Sequence, residues 1–368
     1  MVGDAAEQRH HLVPRNRFGA FMVLLVVVSV LSLAAGIAIG SVTVPLRDVV
    51  DVVLDRLWPW YEADERGVND QIIWEIRTPR ALLGFVVGAA LSVTGAVLQA
   101  LVRNPLADPY ILGVASGASL GAVTVLVLGS GVAAGLGVSG AAFAGALLAL
   151  LAVFILGRQG ETLVPTKLIL AGVALSYVLS SVTSYLQIIA EPNRIQGVLV
   201  WLLGTLTLSG WGDLGLPAIV TVLSTGWLLV RARPLNALLM GDEAAASLGV
   251  DLRRFRSELL VVSSLLVAVV VAVSGSIGFV GLMIPHIVRM LVGSDHRRLL
   301  PAAALLGGSY LVWIDILARS IRRPVEVPLS IITAAIGGPF FLWLMRRRAP
   351  RLHVRRCRTI SNTERTMT

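Results

Sequence analysis

The sequence predicts an all-α polytopic membrane protein with about ten transmembrane helices, some of them divided into half-helices. Hydrophobic residues make up 56% of the 368 residues and charged residues only 14%. The mean hydropathy of +0.81 is too high for one soluble core. Apolar runs of about 20 residues, the length that crosses a bilayer, recur along the chain. The arginines stand in short clusters between these runs, which is typical of membrane orientation signals and not of a nucleic-acid-binding face.

The first apolar run, residues 18–40, follows a polar segment that carries Arg9, Arg15 and Arg17. The run is longer than the roughly 7 to 15 residues of a signal-peptide core, so it predicts a retained first helix with its N-terminus inside. Residues 41–78 then form the one sizeable outer loop, which contains an amphipathic piece and ends in the sequence IRTPR.

The remaining apolar runs predict nine further spans, some of them interrupted. The run of about a dozen residues that contains WLLGTL (201–206) is too short to cross and predicts a half-helix. The glycine-rich segment 275–286 predicts two shorter helices that meet at a bend. Gly84 and Gly88 are spaced to let a neighbouring helix approach closely. These spans cover about residues 81–102, 110–128, a run ending near 157, 168–190, 214–230, a run after 256, a run ending at 293, 301–318 and 327–345.

Polar connections between the spans carry the orientation signals. The second span ends in RNPLADP (103–109), whose two prolines break the helix. The arginines in 158–167, 294–298 and 346–348 place these segments inside. An even number of spans with both termini inside satisfies all of these signals.

The segment 241–256, GDEAAASLGVDLRRFR, is the one polar connection that we expect to be folded. Asp242 can cap a short helix over residues 243–248, Gly249 can end it in the left-handed conformation, and Asp251 can cap the next helix. Arginines on both sides place the segment in the cytoplasm. The residues alone leave two interpretations, a loop that joins two spans and a docking element for a cytoplasmic partner.

Motifs for nucleotide, metal or redox chemistry do not occur in the sequence. The P-loop requires Gly-Lys-Ser/Thr, and the only lysine, Lys167, follows Thr166, so we do not expect ATP to bind in the usual way. There is no HExxH motif, and the single cysteine, Cys357, lies in a polar tail. His286 lacks a second ligand and is more simply a packing donor than a metal ligand. We therefore expect no catalytic residue, cofactor or metal in this chain.

Acidic residues inside apolar runs would indicate ion-coupled transport, because a charge there costs at least about 2.5 to 3.5 kcal/mol. Asp315 is the only acid well inside a run, and Arg319 follows it by one helical turn. An ion pair explains this spacing more simply than a proton relay does. An ion-coupled secondary transporter and a non-transporting membrane scaffold are the alternatives from other functional classes.

Several blocks of the sequence together resemble the FecCD-type permeases of ABC importers for iron-siderophores, haem and cobalamin. These blocks are the stretch from RTPRALLGF to ASGASLGA, the WxxG piece, GDEAAASLGV, GSIGFVGLMIPHIVR and PLSIITAAIGGPFFLWL. They follow in order between about residues 18 and 346. The resemblance implies the type II ABC importer permease fold, in which a ten-helix subunit dimerises around a central pathway.

The same resemblance implies partners and cargo. It implies a second permease subunit (identical or paralogous), two cytoplasmic ATPase subunits that bind ATP and magnesium, and an extracytoplasmic substrate-binding protein. The expected location is a bacterial cytoplasmic membrane. An iron(III)-siderophore is the expected cargo on family frequency, with haem and cobalamin as alternatives. The permease domain would cover residues 18–346, with cytoplasmic tails at 1–17 and 347–368.

Residues of the loop 234–256 match the family's coupling element, which sits in a groove of the ATPase. The resemblance therefore implies that this loop transmits the work of ATP hydrolysis. Its expected contact residues are Gly241, Glu243, Ala245, Leu248 and Gly249.

Three arginines match outer residues that meet acidic side chains of the binding protein: Arg77, Arg80 and Arg319. Each has an alternative role as a lipid-headgroup anchor or as a partner of Asp315. The resemblance places the inner gate at the start of the fifth span and the pathway along the fifth and tenth spans. The matching residues are Pro165 and Thr166 for the gate and Gly172, Ser176, Ser180, Gly337 and Gly338 for the pathway.

Overall fold

The computed structural model describes residues 13–40, 45–57, 68–129, 131, 136–159, 162–163, 165–207, 209–322 and 325–348. Helices dominate these ranges, and one short antiparallel hairpin joins β1 (Arg158–Gln159) to β2 (Thr162–Leu163). The α-helices in chain order are α1 Phe18–Ala38, α2 Leu46–Leu57, α3 Val68–Gln71, α4 Thr78–Val102, α5 Val114–Leu128, α6 Val138–Leu156, α7 Pro165–Ile188, α8 Pro192–Leu202, α9 Trp211–Val230, α10 Ala232–Leu239, α11 Asp242–Ser247, α12 Leu252–Ser274, α13 Val280–Val292, α14 His296–Ser320 and α15 Leu329–Arg348.

Eight helical stretches among the described residues are long and apolar enough to cross a membrane. They contain α1, α4, α6, α7, α9, α12, α14 and α15. Two shorter apolar helices, α5 and α13, complete a set of ten. The predicted fold class, an all-α polytopic membrane protein with about ten spans, is therefore confirmed.

Helix α4 lies at the centre of the bundle. In the helical stretch that contains it, 83% of the most apolar window is buried, compared with 28% for α1 and 17% for α7. Close approach depends on glycines, because a Cβ on Gly88 would lie 2.2 Å from the backbone oxygen of Gly307 in α14. The close-packing role predicted for Gly88 is confirmed, and a Cβ on Gly84 would lie 3.1 Å from the side chain of Leu206.

The outer loop predicted for residues 41–78 is more ordered than expected. Its amphipathic piece forms α2, and helix resumes at Val68 with α3. A π-helix over Ile72–Arg77 then continues directly into α4, whose second residue is Pro79. The prediction that a loop lasts until residue 78 is therefore wrong for its last eleven residues, 68–78.

Two other predicted boundaries are wrong for local reasons. The half-helix expected around 201–206 lies earlier, as α8, because Pro192 starts a helix soon after α7 ends at Ile188. The inner loop expected at 294–298 is shorter, because the carboxylate of Asp295 accepts a bond from the Arg297 N–H and starts α14 at His296.

The backbone N–H and C=O groups of the irregular segments between the half-helices form hydrogen bonds with one another or with a helix end. The N–H of Thr205 donates to the oxygen of Ser274 at 2.8 Å, and the N–H of Leu329 donates to the oxygen of Gly204 at 3.0 Å. The Ser330 hydroxyl donates to the oxygen of Ser276 at 2.6 Å. The break predicted in segment 275–286 is present, between α12 and α13. These bonds let non-helical backbone lie inside an apolar bundle, where an unpaired group is costly.

Tyr110 supports this break with one hydroxyl. This hydroxyl accepts a bond from the Ile277 N–H at 2.9 Å, and its O–H donates to the Ile277 carbonyl at 3.0 Å. We expect Tyr110→Phe to lower the free energy of unfolding by about 1–3 kcal/mol, because it leaves two backbone groups unpaired. Thermal unfolding in detergent measures this loss. Tyr310→Phe is the control, since the Tyr310 hydroxyl is buried without a hydrogen-bond partner among the described residues, and an equal loss in both variants would contradict the assignment.

Candidate coupling segment and ion cluster

The coupling segment, residues 234–256, folds as α10, α11 and the first turns of α12. Gly241 and Gly249, on either side of α11, have φ angles of 110° and 78°, which favour glycine. The Asp251 carboxylate accepts a bond from the Arg254 N–H at 3.1 Å and caps α12. The predictions of a short helix, of a left-handed Gly249 and of an Asp251 cap are confirmed.

Asp242 does not cap α11, and this part of the prediction is wrong. The N-cap residue is Gly241, and Asp242 is the first residue of the helix. The Asp242 carboxylate is instead bound by Arg256 at 2.7 Å and by Arg103 at 3.1 Å. Bonds to two guanidinium groups are stronger than a bond to one backbone amide, so they take the carboxylate away from the helix end.

The five expected contact residues divide between the surface and the interior. Glu243, Leu248 and Gly249 are exposed and Gly241 is half-buried, whereas Ala245 is fully buried in its own chain. Leu248 is 66% exposed and Met240, at the end of α10, is 73% exposed. Ala245 therefore packs inside this chain and holds the coupling segment in place. The apolar side chains on the surface of the segment, Leu248 and Met240, are available to a partner.

A polar cluster joins α10 to the start of α14. The side-chain amide of Asn236 donates to Asp295 at 2.7 Å, and its oxygen accepts from the His296 N–H at 2.9 Å. Burial alone would raise the pKa of Asp295, but the bonds from Asn236 and Arg297 and the nearby charges of Arg298 and Arg297 lower it. Sequence analysis missed this contact, because only the fold brings these residues, 59 positions apart, together.

A buried group of charged residues lies at the N-terminal end of α4, and we name it the Asp315 ion cluster. Its members are Arg80, Asp315, Arg319 and Glu326. Arg80 donates to Asp315 at 2.8 Å and to both oxygens of Glu326 at 2.9 and 2.8 Å. Arg319 pairs with the other Asp315 oxygen at 3.0 Å. The ion pair predicted from the spacing of Asp315 and Arg319 is confirmed, and Arg80 joins it from α4.

Glu326 is the accessible member of this cluster, with a side chain 33% exposed, compared with 3% for Asp315. It also accepts a bond from the Thr207 hydroxyl at 2.7 Å. Burial would raise the pKa of Glu326, but the bonds and charge from Arg80, together with the Thr207 bond, lower it. Glu326 therefore stays charged and links the connection before α15 to α4 and to the connection before α9.

The three arginines predicted to meet a binding protein are all buried. Arg77 donates to the carbonyls of Ile37 and Ala38 at 3.0 and 2.9 Å, and Arg319 donates to that of Gly36 at 3.0 Å. These bonds satisfy the free carbonyls at the end of α1. The alternative role, pairing with Asp315, is found for Arg80 and Arg319, and the binding-protein contact stays a prediction.

The expected pathway residues do not share one environment. Gly172 is buried and Ser176 is half-buried, and both lie against Gly113 before α5. Ser180 is exposed. Gly337 is buried under the ring of Phe279, whereas nothing lies within 4 Å of a Cβ placed on Gly338.

The expected gate residues, Pro165 and Thr166, begin α7, but their side chains lie outside the described part of the chain. Among the described residues, no group of three or more His, Cys, Asp or Glu side chains could hold a metal ion.

The family model of the FecCD transport family matches residues 24–347. This chain belongs to that family. It is 47% identical over 280 residues to the cobalamin import system permease protein BtuC of Halobacterium salinarum, covering 76% of this chain and 74% of that protein. It is 39% identical over 342 residues to the hemin transport system permease protein HmuU of Yersinia pestis, covering 91% and 96%.

A solved inward-facing structure of a metal-chelate type ABC transporter superposes on this FecCD chain with a TM-score of 0.76. Its sequence is 32% identical, and the match covers 89% of this chain and 99% of that one. The FecCD chain is therefore a multi-pass ABC importer permease with the type II fold. Such permease subunits are not enzymes themselves and work with an ATPase and a binding protein.

Proposed function

We propose that this permease carries an iron(III)-siderophore across a bacterial cytoplasmic membrane, driven by two separate ATPase subunits. The folded coupling segment supports the ATPase-driven part of this proposal, because a joining loop would not need a helix bounded by two positive-φ glycines and a bound carboxylate. The siderophore cargo rests on family frequency. Its surface presents Glu243, Leu248 and Gly249 to a partner. The chain itself holds no P-loop lysine, so the ATP and its magnesium belong to the partner.

Import of cobalamin or haem is the second candidate. It is supported by the relatives named for these cargoes, at 47% identity for cobalamin and 39% for hemin. All three cargoes are bulky metal chelates. A wall that includes small residues such as Ser180, which is exposed, and Gly338, whose Cβ position is open, suits any of them, because it can pass a large ligand without binding it tightly.

The proposed orientation places both termini and the coupling segment in the cytoplasm. The Asp315 ion cluster, with Arg77, then lies at the outer side, where the substrate-binding protein docks. Acidic residues of that protein can bind Arg77, Arg80 or Arg319 only after these side chains leave their present partners. A second permease subunit, identical or paralogous, completes the pathway, with Pro165 and Thr166 at its inner gate.

Replacement of residues 241–249 by a glycine-serine linker tests the proposed coupling. We expect the variant to fold but to lose ATP-dependent uptake completely, because the ATPase has no rigid element to push. Uptake into proteoliposomes, with ferric siderophore, hemin and cobalamin as three separate probes, measures this loss. An ion-coupled transporter would keep uptake that is driven by an ion gradient without the ATPase. A scaffold would show no uptake with the original protein or with the linker variant.

A further inference from the structure

The carboxylate of Asp242 joins three helices at one point. It belongs to the first residue of α11, and it is bound by Arg256 in α12 at 2.7 Å and by Arg103, directly after α4, at 3.1 Å. We propose that Asp242 is a positioning residue that passes the movement of α11 to α4, so that the ATPase stroke reaches the Asp315 ion cluster. This inference rests on the proposed function.

The backbone of Arg103 supports this role. Arg103 caps α4 with φ 55° and ψ 35°, a left-handed conformation that is uncommon for a residue with a side chain. Glycine is the usual residue at such a helix end. An arginine adopts this backbone conformation less readily than glycine does, but it places its guanidinium next to α11. A Cβ on Gly241 would lie 3.8 Å from the Nη1 of Arg103. Strain of this kind is characteristic of functional positions.

Helix α4 can carry a displacement from one side of the protein to the other. Its 25 residues span roughly 37 Å at 1.5 Å per residue. Its first turn holds Arg80, which is bound to Asp315 in α14 and to Glu326 before α15. A shift of Arg103 along the axis of α4 would therefore disturb the pairs that fix the other end of α14 and the start of α15.

A local role for Asp242 has to be distinguished from this one. An acid in the first turn of a helix stabilises that helix through its dipole, wherever the neighbouring arginines lie. Loss of that effect would loosen α11 and weaken ATPase binding. Loss of the proposed link would leave the ATPase bound and active but uncouple it from α4.

Labelling of a cysteine at the far end of this helical stretch separates the two roles. Glu75 is exposed in the π-helix that continues into α4, so Glu75→Cys, combined with Cys357→Ser, gives one reporter thiol. The complex with its ATPase is reacted with a maleimide in the presence and absence of Mg-ATP. We expect Mg-ATP to change the labelling rate in this reference protein. We expect Asp242→Asn and Arg103→Gln to lose that change while ATP hydrolysis continues.

Arg297→Gln is the matched control. It removes one exposed positive charge at the start of α14 without touching Asp242, and it should keep the labelling change. The positioning role is overturned if the reference protein shows no change with Mg-ATP, or if both link variants keep it. Should Asp242→Asn not fold, Arg103→Gln decides alone, since Arg103 is 45% exposed and its loss leaves Asp242 paired with Arg256. Failure of the reference chain to co-purify with an ATPase would instead reject the proposed function.

Discussion

Asp315→Ala is expected to abolish the accumulation of folded protein. Asp315 is 2% exposed and binds two arginines, Arg80 and Arg319, which are each 6% exposed. Removal of the carboxylate leaves both guanidinium groups buried, with Glu326 as the remaining carboxylate of the cluster. Breaking a buried ion pair in this way costs about 3–5 kcal/mol, a large share of the stability of an ordinary domain.

Size-exclusion chromatography and thermal unfolding of the detergent-solubilised chain measure this effect. Glu326→Gln is the matched control, because its side chain is 33% exposed and water can replace part of what is lost. It should lower the unfolding temperature far less. One result with Asp315→Asn would instead support the proton-relay alternative. If Asp315→Asn unfolded like the unchanged protein but lost gradient-driven uptake, Asp315 would carry protons and not structure.

This ion cluster also shows how far sequence reasoning reaches. The pair of Asp315 and Arg319 was predictable, because four residues make one helical turn and the helix itself was evident from its apolar run. The participation of Arg80 was left open as one alternative. Glu326 was not predictable, because 246 residues separate it from Arg80 and only the packing of α4 against α14 brings them together.

The spans and the coupling segment were predictable for a similar local reason. A run of about 20 apolar residues is a property of consecutive positions, and so are the glycine and aspartate signals around α11. Asp242 was assigned a wrong role, because its competing partners Arg103 and Arg256 lie 139 and 14 positions away, respectively. The start of α14 was missed because the arginines at 297 and 298 were used as an orientation signal, although the cap at Asp295 was also visible.

Gly95→Ala is the second substitution expected to have a very large effect. A Cβ on Gly95 would lie 1.8 Å from the carbonyl oxygen of Gly281 and 2.6 Å from its carbon. Both are backbone atoms, so no side-chain rotation can relieve the contact. Ordinary overpacking of a core costs about 1–3 kcal/mol, and we expect a greater cost here because α4 and α13 would have to separate.

Gly226→Ala is the control for this prediction. Gly226 lies in α9, and a Cβ placed there meets nothing within 4 Å. Alanine is the better helix former, so this variant should be as stable as the original or more stable by up to about 1 kcal/mol. Separation of α4 from α13 would also disturb two other contacts. Helix α13 follows the break that Tyr110 supports, and α4 contributes Arg80 to the Asp315 ion cluster. We therefore expect Gly95→Ala to lose the monodisperse peak in size-exclusion chromatography, and equal unfolding temperatures for the two alanine variants would contradict the close contact between α4 and α13.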